Sequence, residues 1–532
     1  MRRELRQGDI HPFANFDIPH LLQRQADVRG AHPFLIWEPF EGERRVWSYA
    51  EFVDATRQVA QGLHDRGVRL GDRVLVHLDN SPESIFSWFG CAVLGASAVT
   101  TNARSVADEL SYYAHAASVV GAITQPRFAE LVAVSTSPDF LIVTETDNGA
   151  DPAPGTKPEP ADSFDRLFEA EPMDLRPPDP MANFSVQFTS GTTSRPKGVV
   201  WSHANALWGA RMCARNEHLH AGDVHLTHLP LFHTNAQAYS VLASLWAGAT
   251  VVAQPRFSAS RFWDVSLRNR CTWSSIVPFC GKALLARDEP VPDHQFRMWG
   301  NGAQLPEWDA HFGVKTISWW GMTETISQPI VSDPAINSPF GTMGRPSPAY
   351  DIEIRHEDGR VVGPGETGGL FVRGIAGLSL FKEYLDNPEA TESSFDDQGF
   401  MITGDRVMLL PTGDLVFGDR DKDMLKVGGE NVAASEIERV VNSVAGVAEC
   451  AVVAKRDPML DEVPVVFVLP PAGGGGDANL LSGAILAACE QSLADFKVPR
   501  EIRIVDELPR STLEKVAKAQ LREMANDTAR EV

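Results

Sequence analysis

The chain has 532 residues, of which 43% are hydrophobic and 22% charged; that is the balance of a soluble globular protein, at a length that suggests about two to four structural units. Its 70 acidic against 48 basic residues give a formal net charge of −22, a surface that repels phosphate backbones and anionic lipid and so argues against nucleic-acid or membrane-surface binding and for an enzyme of small molecules. No apolar run reaches the roughly 18 residues of a membrane span, the charged start Met1–Gly8 lacks a following apolar stretch of the secretory kind, and Cys91, Cys213, Cys271, Cys280, Cys450 and Cys489 form no CxxC pair or zinc-ligand spacing; a cytoplasmic protein with buried free thiols is expected.

The first 140 residues alternate helical and strand-like segments. The spacing predicts an amphipathic helix over Tyr49–His64, a strand over Asp72–Leu78 and a helix over Pro82–Leu94, the alternation of an α/β sheet covered by helices. Thr144–Pro180 is rich in Pro, Asp and Glu and reads as a surface excursion with little beyond short helix. A second α/β block follows from Phe184 to Ala335, with strands such as Thr250–Ala253 and Thr272–Val277. From Gly341 to Asp419 the pattern changes to short glycine-rich strands, Asp351–Arg355, Gly369–Arg373 and Asp414–Phe417, as in a small barrel. The last hundred residues return to α+β, with a helix over Ser435–Asn442, strands over Glu449–Ala454 and Pro464–Leu469, a flexible Pro470–Gly476 loop and a C-terminal helix that includes Lys515.

The most informative segment is Thr189-Ser-Gly-Thr-Thr-Ser-Arg-Pro-Lys-Gly198. Glycines let backbone amides approach phosphate oxygens, the hydroxyls add donors and Lys197 adds a cation. It is not a Walker A loop, and by composition alone a polar surface turn explains it equally well. Six further motifs follow in order: Pro230-Leu-Phe-His233, Gly300-Asn-Gly-Ala-Gln304, Trp320-Gly-Met-Thr-Glu324, Thr403-Gly-Asp405, Asp419-Arg420 with Lys422-Asp423, and Lys426-Val-Gly-Gly-Glu-Asn431. Together they resemble the adenylate-forming superfamily over nearly the whole chain. The stretches His77–Glu83, Trp88–Gly90, Asn102–Arg104, Ser190–Val200 and Phe381–Tyr384 are most similar to bacterial carnitine or crotonobetaine CoA ligases, although they belong mostly to scaffold and nucleotide site.

The resemblance implies a large N-terminal domain, residues 1–421, of two α/β subdomains and a β-barrel-like subdomain, followed by a small mobile α+β domain, residues 422–532. It implies a two-step reaction: a carboxylate attacks the α-phosphorus of ATP and expels pyrophosphate, then a thiol attacks the acyl-adenylate and AMP leaves. ATP, Mg²⁺ and coenzyme A are the implied cofactors and co-substrates, and both steps need chiefly positioning and charge neutralisation.

By the same resemblance Thr189, Ser190, Gly191, Thr192, Thr193 and Lys197 cradle the terminal phosphates. Thr323 donates to the α-phosphate and Glu324 helps hold Mg²⁺, which suits an ion that takes one or two carboxylates plus phosphate oxygens. Gly302, Ala303 and Trp320 border adenine; Trp320 stands where relatives carry Tyr, and Asn301 where they carry Gly. With Trp319 beside Trp320, one of the two rings is expected to face the core. Asp405 accepts from the ribose hydroxyls, and Arg420 approaches ribose and phosphate. His233 lies between the ATP and acyl sites and orients the carboxylate; without the resemblance a satisfied core histidine is an equal reading. Lys515 grips the carboxylate and α-phosphate, Lys422 is the hinge, and Lys426, Gly428 and Gly429 face the thiol. Glu514 replaces the usual Gly beside Lys515. Read singly, Glu324 is a surface acid and Asp419–Lys426 a charged turn.

Asn235, Gln237, Gln304, Ser327 and Gln328 give the implied acyl pocket a polar character, matching a short, polar or zwitterionic acid better than a long-chain one; Trp208, Trp246 and Trp273 are further candidate walls for a quaternary ammonium. Rival readings are an adenylating enzyme with a carrier-protein thiol as acceptor, a catalytically weak homologue with a binding role, and a luciferase-like oxygenase. No sequence feature sets the oligomeric state, for which the homodimer is the common default.

Overall fold

The helix expected over Tyr49–His64 runs Tyr49–Asp65. Ser48 accepts from the Glu51 amide and Glu51 reaches back to the Ser48 amide, so two donors at the helix start are satisfied reciprocally. Phe52, Val53, Thr56, Val59, Ala60 and Leu63 recur at helical spacing and form its buried face. The helix Pro82–Leu94 is buried on almost every side; Ser81 caps it, and Gly95, at φ 91°, ends it in a left-handed conformation that a Cβ would penalise. Phe86 stacks on Phe52 with ring centroids 4.9 Å apart, joining the two helices. The computed structural model describes residues 2–153, 161–189, 196–287, 289–420, 424–427, 430–457, 460–471, 478–493, 495–510 and 516–527.

The chain forms two units, Met1–Ile352 with Phe371–Ile402, and Glu353–Leu370 with Thr403–Val532. In the first, a sheet runs in the order Glu383–Tyr384, Lys197–Ser202, Asn183–Thr189, Ser97–Thr100, Arg73–His77, Gly121–Thr124, Leu141–Val143, Asp162–Ser163. From Asn183–Thr189 to Asp162–Ser163 the strands are parallel, and helices link Arg73–His77, Ser97–Thr100, Gly121–Thr124 and Leu141–Val143 in turn, while Lys197–Ser202 and Glu383–Tyr384 are antiparallel additions at one edge. A second sheet sets Lys315–Trp320, Met298–Asn301, Trp273–Ser275, Val224–Thr227, Thr250–Ala253 and Pro33–Trp37 side by side and parallel. The ligand crevice of such sheets lies beyond the carboxyl ends of the strands, where the Trp320–Glu324 and Gly300–Gln304 motifs fall.

The excursion at Thr144–Pro180 is better anchored than its composition suggests. The 3₁₀ turn Phe164–Glu169 buries Phe164 and Leu167 completely. Leu167 packs where Gly62 has no side chain; a Cβ there would lie 2.7 Å from Leu167 Cδ2.

In the second unit, Met401–Leu409 and Leu415–Arg420 pair antiparallel. A further sheet pairs Met424–Val427 with Glu430–Ala433 and with Asp461–Leu469, which also takes Glu449–Asp457 and Glu501–Ile504 as neighbours. Alternate residues feed two cores. Val452, Val466 and Val468 pack with Ile437, Val441 and Ile485, while Ala451, Val453, Val465 and Phe467 pack with Leu508, Leu521 and Ala525. The final helix is Lys518–Asn526; Lys515 and Glu514, like Ala472–Gly476 of the expected loop, lie outside the described residues. All six cysteines are free and buried. Among the described residues no helix is long and apolar enough to cross a membrane.

Candidate active site

The strand Asn183–Thr189 and the strand Lys197–Ser202 form a hairpin in which Thr189 lies opposite Lys197, so the hydroxyl-rich segment is the connection between them. Ser190, Gly191, Thr192 and Thr193 lie outside the described residues. Tyr112 anchors the returning arm, its hydroxyl donating to the Pro196 carbonyl at 2.8 Å.

Thr323 and Glu324 stand in a 3₁₀ turn just beyond the strand Lys315–Trp320. The turn is tightly determined. Gly321 leaves room for the Tyr239 hydroxyl, 2.3 Å from where a Cβ would sit, and Ile326 is held at φ 61°, a strained conformation for a β-branched residue. Trp201 Nε1 donates to the Thr323 carbonyl at 2.9 Å, the Phe381 amide to the Glu324 carbonyl at 2.8 Å, and Thr234 Oγ1 to Thr323 Oγ1 at 3.1 Å. Glu324 is only 5% exposed. Its Oε1 accepts from the Tyr384 hydroxyl at 2.9 Å, and Lys197 Nζ lies 4.6 Å from the centroid of the same Tyr384 ring. Phe381–Tyr384, a stretch that reads as scaffold or nucleotide site, therefore packs against the Thr323–Glu324 turn. The described residues contain no group of three or more His, Cys, Asp or Glu side chains placed to hold a metal ion. One fixed carboxylate, with phosphate oxygens completing the shell, suits Mg²⁺ rather than an ion that needs an all-protein cage.

His233 follows Leu229–Phe232, and its backbone carbonyl accepts from the Gln237 amide at 2.9 Å. From Asn235 to Leu242 the chain is a π-helix, a wide turn common beside functional sites and invisible to 3.6-residue periodicity. The loop before His233 is held by Asn80: its Nδ2 donates to the Leu229 and Gln254 carbonyls at 2.9 and 3.1 Å, and its Oδ1 accepts from the Leu231 amide at 2.7 Å. Behind Leu231 and Phe232 lies a small cavity also lined by Leu78, Ile85, Trp88 and Thr101.

Three expected acyl-pocket glutamines are buried and hydrogen-bonded within the chain. Gln237 accepts from Gln187 at 3.0 Å and donates to Thr100 at 3.2 Å. Gln304 donates to Ser332 at 2.8 Å, and Gln328 to Glu217 at 2.8 Å. Buried polar atoms with no hydrogen-bond partner among the described residues include Asn235 Oδ1 and Asn301 Nδ2.

Both Trp319 and Trp320 are buried, 6% exposed each. They point to opposite faces of their strand. Trp319 stacks on Trp273, 6.0 Å apart and 10° from parallel, across Gly300. Gly302 is exposed, with open space where a Cβ would project, and Ala303 is half-buried beside it. In the second unit, Gly404 at φ 72° turns the chain, and Asp405, 5% exposed, donates its amide to Thr403 Oγ1 at 3.1 Å. Strand register sets the Asp405 backbone opposite that of Arg420. Lys422, Gly428 and Gly429 lie outside the described residues, as does the side chain of Lys426.

A hydroxyl-rich hairpin, a fixed Thr–Glu turn and motifs at the carboxyl ends of parallel strands belong to an adenylate-forming enzyme of the acid–thiol ligase class, which uses ATP, Mg²⁺ and coenzyme A. The chain belongs to the AMP-binding enzyme family, whose pattern matches residues 22–385, with the AMP-binding enzyme C-terminal domain at residues 436–515. It is 32% identical over 512 residues to a crotonobetaine/carnitine–CoA ligase of Escherichia coli O7:K1, covering 93% of this chain and 97% of the relative. The protein of that name from Citrobacter koseri is 32% identical over 507 residues, with the same coverage. Among solved structures, o-succinylbenzoate coenzyme A synthetase of Bacillus subtilis with AMP superposes with a TM-score of 0.81 at 27% identity, covering 95% of this chain and 98% of that one. MatB of Rhodopseudomonas palustris with ATP gives 0.82 at 26% identity, covering 96% and 99%.

Proposed function

We propose that the protein joins a short, polar carboxylic acid, with betaine-like acids the leading class, to coenzyme A through an acyl-adenylate. The observation that carries this reading is the Thr323–Glu324 turn, tied by Trp201, Phe381 and Tyr384 to the strands around the phosphate hairpin. Lys197 and the hairpin hydroxyls bind the departing pyrophosphate, Thr323 donates to the α-phosphate, and His233 orients the attacking carboxylate. Mg²⁺ held at Glu324 supplies charge neutralisation at the phosphates. Asp405 and Arg420 take the ribose, and Gly302, Ala303 and Trp320 border the adenine. Residues 422–532 act as the mobile domain: Lys422 is its hinge, Lys515 serves the first step, and Lys426, Gly428 and Gly429 face the thiol in the second.

The polar character of the acid rests less on Gln237, Gln304 and Gln328, which are bonded within the protein, than on Asn235, whose buried Oδ1 has no partner among the described residues. Buried polar atoms without partners cost stability unless a ligand satisfies them, and an aliphatic chain satisfies none. Relatives named for crotonobetaine and carnitine favour the same class.

The test is pyrophosphate release with ATP and Mg²⁺ across betaine-like, short aliphatic, aromatic and long-chain acids, each with and without coenzyme A. Release confined to polar or betaine acids and increased by coenzyme A is expected. Release with long-chain acids alone sinks the substrate class, and release indifferent to coenzyme A sinks the acceptor.

A further inference from the structure

Tyr384 joins two groups of opposite charge without letting them meet. Its strand, Glu383–Tyr384, adds to the edge of Lys197–Ser202 with Tyr384 opposite Val199, so Lys197, two residues along, is its diagonal neighbour on the same face. The Lys197 ammonium rests over the ring at 4.6 Å. The hydroxyl on the far edge of that ring donates to Glu324 Oε1 at 2.9 Å. Tyr384 itself is fixed: it is 7% exposed, its amide donates to Thr391 Oγ1 at 2.9 Å, and Phe381 packs 4.7 Å from its ring.

We propose that Tyr384 is a positioning residue that keeps the phosphate-side lysine and the metal-side carboxylate apart before ATP and Mg²⁺ arrive. The inference rests on the reading of Glu324 as the metal-holding acid. A half-buried ammonium and a buried carboxylate left without a separator move toward direct pairing, because opposite charges attract more strongly where water is partly excluded. A lysine paired in that way is withdrawn from phosphate, and a carboxylate paired in that way is withdrawn from the ion. The ring face offers Lys197 an attraction weak enough for phosphate to replace, and the hydroxyl holds one oxygen of Glu324 in place.

The experiment is calorimetric titration of the full-length protein with ATP, in Mg²⁺ and separately in EDTA, with thermal melting as the fold control. Wild type is expected to bind ATP more tightly in Mg²⁺. Tyr384→Phe keeps the ring and loses the hydroxyl; it is expected to weaken binding in Mg²⁺ about tenfold, the scale of one hydrogen bond to a charged group, with little change in EDTA. Glu324→Gln keeps an acceptor for the hydroxyl and removes the charge, and should abolish the Mg²⁺ advantage; adding Tyr384→Phe to it should then change nothing further. Equal weakening of Tyr384→Phe in both conditions, or none in either, overturns the proposal. A wild-type protein that binds ATP equally with and without Mg²⁺ overturns instead the assignment of Glu324.

Discussion

The Leu231 amide donates to Asn80 Oδ1 at 2.7 Å, fastening the loop that carries His233 to a loop 151 residues earlier in the chain. With the two carbonyl contacts of Asn80 Nδ2, three hydrogen bonds hold this loop, and a small cavity lies behind Leu231 and Phe232.

Asn80→Ala should therefore displace His233 while leaving the phosphate hairpin intact. The expected result is a KM for the acid raised about tenfold or more and kcat lowered, with the KM for ATP within about twofold, since three hydrogen bonds of about 1 kcal/mol each are removed. Asn80→Asp keeps the acceptor for Leu231 and should fall between. Steady-state kinetics with each substrate varied checks this; equal change in both KM values would show only a general loss of fold.

Gly300→Ala should be destabilising for a reason visible only in three dimensions. A Cβ at Gly300 would lie 1.7 Å from Trp319 Cη2 and 2.7 Å from Trp273 Cη2, so the indole stack must open or the strand must shift. Overpacking of this kind costs about 1–3 kcal/mol. Denaturant unfolding should show the loss, and combining the change with Trp319→Leu should recover part of it. A wild-type melting curve for Gly300→Ala alone would mean that the stack is loose.

These relationships mark how far the sequence could be read. Periodicity located Tyr49–Asp65 within one residue and Pro82–Leu94 at both ends, because a capping box, an N-terminal proline and a terminal glycine are local signals. Motif order located the Thr323–Glu324 turn and the phosphate hairpin. The contacts of Tyr384 with Lys197 and Glu324 could not be read, since they arise from an edge strand that pairs with a segment far earlier in the chain. The polar residues of the acyl side were legible as a set but not by use: Gln237, Gln304 and Gln328 meet partners from distant segments. The π-helix Asn235–Leu242 left no mark, because its wider turn departs from the period that reveals α-helices.

Lys515 is expected to serve the first half-reaction alone. Lys515→Ala should depress acid-dependent ATP–pyrophosphate exchange by about a hundredfold or more, the scale for losing one charge at a developing anion, while thioester formation from supplied acyl-adenylate changes little. Equal loss of both would remove the assignment. Glu514→Gly, which takes away a neighbouring negative charge, should raise exchange.

Glu217 gives a prediction with a definite pH sign. The side chain is fully buried, Oε1 accepts from Gln328 at 2.8 Å, and Oε2 has no hydrogen-bond partner among the described residues. Burial pushes its carboxyl well above the ordinary 4.5, against the smaller opposing effects of Gln328 and Arg297. In the unfolded chain the group ionises once pH passes 4.5, whereas the folded protein keeps its proton until the raised value is reached. Over that interval the unfolded state binds fewer protons, so this residue lowers stability progressively as pH rises. Glu217→Gln keeps an oxygen for Gln328 and cannot ionise. It should melt close to wild type near pH 4.5 and progressively above it as pH rises from there. Melting curves of both proteins across that range decide the matter; a difference that stays flat, or that grows toward acid, would mean that Glu217 is ionised in the core.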